Sequence, residues 1–392
     1  MKYLATRARR FCAFLIGLVY FLSGVLKLMD PTGAMLVMKE YFAFLHLGFL
    51  DFSAMFFGFA FAFAETIIGT ALITGVFRKI TAIAAFSLQG LFTLLTLVLL
   101  IFNPQMDCGC FGEAFHLTHL QSFIKNVVLS LLLVGAFVPF REFGTPKVKK
   151  YYTFALVAAS SVIFGIWSLI NIPLVDYTPF KMGTILQSAS EDVFDEDIYE
   201  AEFIYEKDGR QEVFTLGHLP DSTWTFVDSR TVLKEGFKDN VVVLSFHDED
   251  GNYEDSLAAD GRVMVISIYD DISQRRLGKV SDFVQNAAKA GFRTLVLTTP
   301  QIYDQVVSAV GTKVYESDYK TLISLNRSNG GVTCFSDGYL IRKWSVTKLP
   351  SAEDLDAIRS EDEAEIVASR STEGNLIFQG FLLYVFAVML LL

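Results

Sequence analysis

Five stretches of the chain are long and apolar enough to cross a bilayer: Phe11–Leu28, Ala54–Phe77, Ile80–Phe102, Phe123–Phe140 and Tyr152–Ile172. About 20 apolar residues are needed to traverse roughly 30 Å of hydrocarbon. A chain holding five such runs in its first half is expected to lie in a membrane as a helical bundle. The first run is long, lacks a small-x-small cleavage site and closes on Lys27 with Asp30-Pro31, so it reads as a span and not as a cleaved signal peptide. A sixth apolar stretch, Ile377–Leu392, is shorter. It fits either a further span or a hydrophobic tail packed on protein or at the interface.

Charge separates the two halves. Residues 1–175 hold 13 Lys and Arg against 7 Asp and Glu, a net of +6, and the remainder holds 20 against 36, a net of −16. The acidic half is a poor match for nucleic acid, whose phosphates require basic side chains. Basic residues of short loops set membrane orientation. Lys2, Arg7, Arg9, Arg10, Arg78, Lys79, Arg141, Lys147, Lys149 and Lys150 fall on one side, and Lys39 alone falls in stretches 30–53 and 103–120. That bias predicts a cytoplasmic N-terminus, with both of those stretches and everything after Ile172 outside the cytoplasm, as in a multi-pass protein of a cell's inner membrane.

Two charges interrupt the apolar runs. Glu65 lies midway along the second span, where an ionised carboxylate costs several kcal/mol unless paired or turned inward. Lys27, near the outer end of the first span, is its plausible partner; the alternative is a lysine snorkelling to the headgroups. Glu65 reads as a polar staple between helices or as part of a proton or quinone site.

The outer stretch after the third span reads Asn103-Pro-Gln-Met-Asp107-Cys108-Gly109-Cys110-Phe111-Gly112-Glu113. A disulfide across one glycine closes a small strained ring, and strained bonds are more readily reduced. Three readings stand: a redox dithiol, a structural pair, or a metal site assembled from Asp107, Cys108, Cys110, His116 and His119. The last has a spacing unlike the familiar zinc patterns. Cys12 lies a bilayer thickness away, and Cys334 sits inside an apolar run of the acidic half as a buried thiol.

Taken together, Gly17-Leu-Val-Tyr-Phe-Leu-Ser-Gly24-Val-Leu-Lys27, Glu65-Thr-Ile-Ile-Gly69, Asp107-Cys-Gly-Cys-Phe-Gly112 and Lys125-Asn126 resemble the DoxX/MauE superfamily over roughly residues 8–140. The resemblance implies a compact four-helix membrane bundle akin to quinone-linked thiol oxidoreductases. MauE-like members are associated with disulfide formation in exported proteins, often beside a thioredoxin-like partner. By position, Cys108 and Cys110 would be the redox pair, with Glu65 and Lys27 as bundle positions beside a quinone. The partners implied are the lipid bilayer and an exported thiol protein.

Beyond the fifth span the pattern changes to strands. Ala201–Glu206 and Gln211–Leu216 alternate around Lys207-Asp-Gly-Arg210, a hairpin signal. Trp224–Val227 and Val241–Phe246 add two more. From Val263 a strand, a helix over Leu277–Ala290, a strand at Arg293–Thr298, a helix from Pro300 to Val310 and a hairpin of Gly331–Phe335 with Tyr339–Trp344 follow. That order resembles a thioredoxin fold. After the first strand, however, Asp270-Asp-Ile-Ser273 stands where a redox thioredoxin has its cysteines, and Gly330 or Gly331 stands at its cis-proline position.

The expected fold is thus an all-α membrane bundle of four core spans plus one or two more, followed by a soluble α/β thioredoxin-like domain with a small β-rich insertion. The expected segments are a bundle over 1–150, a tethering fifth span over 151–175, a β-rich region over 176–260, a degenerate thioredoxin-like domain over 261–372 and a hydrophobic segment over 373–392. The expected function is thiol–quinone electron exchange at Cys108-Gly109-Cys110. The alternative is a non-enzymatic scaffold whose outer domain binds a cell-envelope partner.

Overall fold

The computed structural model describes residues 2–104, 106–138, 146–187, 199–207, 210–215, 219–221, 223–233, 241–360 and 363–391. It divides into two compact units: residues 1–177 with 372–392, and residues 178–371.

The first unit is helical. Its elements are α1 (Lys2–Met29), α2 (Pro31–Phe44), α3 (Ala54–Thr74), α4 (Arg78–Phe102), α5 (His119–Phe137), α6 (Val148–Ile170) and the C-terminal part of the last helix, α11 (Glu363–Leu391). All but α2 contain a segment long and apolar enough to span a membrane, six among the described residues. Asp30-Pro31, read as the close of the first span, also opens α2. The Asp30 side chain accepts from Gly33 N–H, and proline suits the first helical turn because its missing N–H would have no partner there. Stretch 30–53, expected as loop, is therefore mostly helical, with a 3₁₀ turn over Gly48–Ser53 leading into α3. Thr118 and Gln121 form a reciprocal capping box that fixes the start of α5.

Close packing of α1 on α3 sets the bundle. Gly24 lies against the Ala62 carbonyl and Thr66, and Gly69 against the Phe21 backbone, so an added Cβ would fall 2.6 Å and 2.5 Å from main-chain atoms. Small residues let transmembrane backbones approach in this way, where van der Waals contact replaces the hydrophobic drive. The fifth span, expected as a tether, is packed into this unit: Val157 and Phe164 are buried with Phe21, Val25, Phe378 and Val385. Phe164 stacks on Phe381 at 4.4 Å between ring centres, which makes the C-terminal apolar segment part of the helical core.

The second unit is built on a seven-stranded sheet of order β6-β2-β11-β10-β7-β8-β9. Strands β7 (Arg262–Ile268), β8 (Arg293–Thr298) and β9 (Val314–Glu316) are parallel; β10 (Gly331–Ser336) is antiparallel to both β7 and β11 (Tyr339–Trp344). Helix α7 (Gln274–Lys289) buries Leu277, Val280, Phe283, Val284 and Ala287, one face at helical spacing, against the sheet. Helix α8 (Tyr303–Val310) follows a 3₁₀ turn at Pro300–Ile302. Strand β9 and helix α9 (Tyr319–Leu325) occupy a stretch with no assignment from sequence; α10 (Ala352–Ser360) closes the unit.

A boundary near residue 260 does not divide this sheet, because β2 (Ile185–Leu186) and β6 (Val241–Val242) pair into it beside β11. Between them lies a separate antiparallel sheet, β4 (Arg210–Thr215)-β3 (Tyr199–Lys207)-β5 (Thr225–Leu233). Its hairpin is the one expected from the alternation, although the turn at 208–209 lies outside the described residues.

Candidate functional site

The four residues singled out from sequence meet at one cavity. Lys27 descends from α1, Glu65 rises from the middle of α3, and Cys108 and Cys110 come from the loop that leads into strand β1 (Cys110–Glu113). The cavity has a volume of about 290 Å³ and is also lined by Tyr20 and Lys125. Apolar side chains of α2, α3 and α4, among them Val37, Phe61, Phe92 and Leu95, form the rest of its wall.

Glu65 is 1% exposed, and its Oε1 lies 2.6 Å from Lys27 Nζ. The pairing follows from helix geometry: the small residues that bring α1 and α3 together leave no room for water between the two charges. A buried carboxylate at this depth is tolerable only with such a partner. Ser23, one turn before Lys27 on the same face of α1, places its hydroxyl 2.5 Å from Glu65 Oε2 and 2.6 Å from the Cys110 carbonyl. Both neighbours accept and a hydroxyl has one proton, so carboxylate and cysteine loop compete for the same donor.

The loop itself is shaped by its glycine. Gly109 has φ +64, and a side chain there would run into Val37 of α2. Tyr41, also on α2, donates to the Cys108 carbonyl at 3.0 Å. Held in this way, the two sulfurs lie 3.0 Å apart without an S–S bond. A bond length of about 2.05 Å is reached by a small movement. The pair is asymmetric. The Cys108 thiol donates to Cys110, which holds Cys110 below the usual thiol range, with help from the ammonium groups of Lys125 and Lys27. The same bond and burial push Cys108 up. Cys110 is therefore the thiolate of the pair, the form that attacks disulfides and electrophiles.

A polar seam supports one wall. Tyr20 donates to Gln89 at 2.7 Å, Gln89 to the Asn126 carbonyl at 2.9 Å, and Asn126 to Thr96 at 3.1 Å, tying α1, α4 and α5 together inside an apolar bundle. Of the residues in the metal reading, His116 pairs with Asp107 at 3.0 Å in an exposed contact, and His119 Nε2 bonds the Pro104 carbonyl. Among the described residues no three His, Cys, Asp or Glu side chains surround a common point.

Sequence reasoning missed Ser23, Tyr41 and the contribution of Lys125 to the thiolate. Ser23 had a signal, its position four residues before Lys27. Tyr41 had none while α2 was taken for loop. Elsewhere, Cys334 is fully buried in the middle of β10, and Asp270 and Asp271 are exposed ahead of α7 with no cysteine near them.

Residues 2–139 match the family model Methylamine utilisation protein MauE, which spans the bundle from α1 to α5 together with the cysteine loop. Residues 199–236 match a second model, Domain of unknown function (DUF8463), which coincides with the three-stranded sheet. Neither a curated protein nor a solved structure gives a match. The N-terminal bundle is MauE-like, and the chain that carries it is a multi-pass membrane protein.

Proposed function

We propose that the protein is a membrane thiol oxidoreductase in which Cys108 and Cys110 pass electrons from an exported dithiol protein to a quinone. The observation that carries this reading is the placement of two sulfurs 3.0 Å apart on the wall of an apolar cavity inside a membrane bundle. The cavity fits a quinone ring by its chemistry: aromatic and aliphatic walls, with the ammonium groups of Lys27 and Lys125 as donors in its lining. A quinone bound there would supply the two-electron acceptor. The protein's own part is then definite. As the S–S bond forms, the Cys108 thiol and the Cys110 thiolate release two electrons and one proton, and the Lys27–Glu65–Ser23 cluster, which reaches the Cys110 carbonyl through Ser23, would carry that proton between loop and cavity. The partner's dithiol re-reduces the pair by thiolate attack through a mixed disulfide, and the partner leaves oxidised.

The charge bias of the loops supports an inner-membrane protein with the cysteine loop and the second unit outside the cytoplasm. The second unit supports a thioredoxin-like reading through its parallel β7-α7-β8 crossover and antiparallel β10–β11 hairpin. Gly330 sits just before β10, donating its N–H to the Ser267 carbonyl. With no cysteine at the start of α7 and Cys334 buried, that unit would bind a protein partner and not exchange a dithiol. This favours, as the second reading, a scaffold that holds an envelope protein at the membrane.

Alkylation of thiols in native membranes, before and after mild reduction and with added quinone, separates the two. Cycling of the Cys108–Cys110 pair with quinone, lost in C108S/C110S and intact in C334A, is the expected result. A pair that never changes state, with envelope function unaffected in C108S/C110S, sinks the oxidoreductase and leaves the scaffold.

A further inference from the structure

The cavity beside the cysteines is not closed on every side. Most of the side chains that line it are buried or half-buried. Leu45, at the C-terminal end of α2, and Leu91, on α4, are the two among the described lining residues that are more than a third exposed, at 42% and 40%. A residue that faces both the cavity and the exterior marks an opening, and two such residues on different helices mark its two sides. Helix α2 packs on α3, and α4 packs on α5 and α3, but no such packing joins α2 to α4 among the described residues.

Aromatic contacts frame the gap at both ends. Phe44 and Phe102 meet edge-on, with ring centres 6.2 Å apart, where α2 and α4 end. Phe61 of α3 and Phe92 of α4 lie 6.4 Å apart, at the level where Lys27 Nζ sits 5.5 Å from the Phe92 ring. Leu91 follows Arg78 by about 20 Å along α4 and precedes Phe102 by about 16 Å, so it lies within the roughly 30 Å of hydrocarbon that the span crosses. The opening therefore faces acyl chains and not water. An apolar outer surface is ordinary for a transmembrane helix. Its interruption by a cavity that holds Lys27, Glu65 and Lys125 is not.

Size and depth together identify what uses the opening. At about 290 Å³ the cavity has room for a substituted ring but not for a long hydrocarbon tail as well. A ligand with such a tail keeps its ring beside the cysteines only if the tail leaves through the side. We propose that the gap between Leu45 and Leu91 is the lateral entry through which a lipid-dissolved quinone reaches the cavity, its ring inside and its isoprenoid tail passing between α2 and α4 into the bilayer. This assignment rests on the reading of the site as quinone-linked. It adds the source of the ligand, which is the membrane and not the aqueous phase, and the two side chains that set the width of its passage.

The test uses the full chain in phosphatidylcholine nanodiscs and reads the unfolding temperature as one of two ligands is added. One is decylubiquinone; the other is the same ring with a methyl group in place of the decyl tail. A ligand that binds the folded protein raises its unfolding temperature as the site fills. L91W and L45W narrow the gap from either side and are expected to weaken binding of decylubiquinone about tenfold or more, leaving the tailless ring largely unchanged. L91A widens the gap and should bind decylubiquinone at least as well as the unsubstituted protein. If L91W does not fold, L45W carries the comparison. Equal loss of both ligands in the tryptophan variants, no loss of either, or a loss in L91A as large as in L91W overturns the entry. Thiol alkylation of the same samples keeps the two proposals apart. A Cys108–Cys110 pair that cycles with both ligands in L91W and L45W as it does in the unsubstituted protein sinks the entry and leaves the oxidoreductase. Selective loss of decylubiquinone in a protein whose pair never cycles sinks the oxidoreductase and leaves the entry. If neither ligand raises the unfolding temperature, both fall.

Discussion

In the membrane unit, Cys108 and Cys110 lie on a loop whose carbonyls are held by Tyr41 and Ser23, side chains that come from two different helices. In the second unit, Cys334 is the middle of a strand paired on one side with Met264 and on the other with Arg342. The first arrangement leaves the sulfurs on a cavity wall, in contact with each other and with cations. The second gives the sulfur a place in a core of Ile266, Phe283 and Val332. A central strand satisfies its backbone through the strands on either side, so its side chains are left to pack. A loop inside a bundle must borrow donors from its surroundings, and those donors concentrate charge at one point. The same contrast runs through the ion pairs. Lys27–Glu65 is nearly enclosed, with side chains 12% and 2% exposed, whereas Arg293–Asp260 in the second unit is 43% and 76% exposed.

The ion pairs give the largest expected difference. Lys27→Ala leaves the Glu65 carboxylate buried without its cation and should destabilise the membrane unit by about 3–5 kcal/mol. Arg293→Ala removes a solvated contact and should change stability by about 0–1 kcal/mol. Thermal unfolding of both variants in the same detergent checks the contrast, and K27L/E65L, which removes both charges, should recover most of the loss. Equal effects from the two single substitutions would mean that water reaches the Lys27–Glu65 pair. Two glycines give a smaller contrast. Gly109→Ala meets Val37 and forces alanine to a positive φ, for a combined cost of about 2–4 kcal/mol. Gly251→Ala, at φ +80 in open space, meets only the backbone term of about 1–2 kcal/mol. Val37→Ala should rescue part of the first and none of the second.

Much of the membrane unit was legible in sequence because a span is written in consecutive residues: the helices α3, α4, α5 and α6 fall within a few residues of the apolar runs, and α1 contains its run and extends it toward the N-terminus. The site residues were legible for the same reason turned round, since a carboxylate or a cysteine pair inside or beside such a run has few bland explanations. Helix α2 was not, because Pro31–Phe44 is short and carries Lys39 and Glu40, and its role as the cover over the cysteine loop depends on the contacts of Val37 and Tyr41. Strands β7, β8, β10 and β11 were legible as apolar runs, whereas β9, three residues long, was not. Strand β2 was not read because two residues leave no periodicity, and β6, read within a strand over Val241–Phe246, was assigned to a separate β-rich region because its partner β2 lies far away in sequence. The meeting of Ser23, Glu65 and the Cys110 carbonyl is likewise set by how closely α1 and α3 approach, a distance the glycines permit but do not specify.

The smallest effect is also the most specific to the chemistry. Because Cys110 is held below the ordinary thiol range by the Cys108 hydrogen bond, Lys125 and Lys27, it is thiolate at neutral pH. It should lose reactivity only as the pH falls through that lowered value. Cys108, pushed up by the same bond, should stay unreactive through neutrality. Cys334 offers the internal reference, since a core thiol is alkylated only when its unit opens. Iodoacetamide labelling of the reduced protein across pH, read by peptide mass, should therefore give three separate profiles. Lys125→Gln removes one of the cations beside the thiolate and should move the Cys110 profile upward by about one pH unit at most, leaving Cys334 where it was. A shift of both profiles would mean that the substitution loosened the whole protein. A Cys110 profile identical to that of an ordinary exposed thiol, before and after the substitution, would remove the asymmetry between the two sulfurs and with it the reason to assign the attacking role to Cys110.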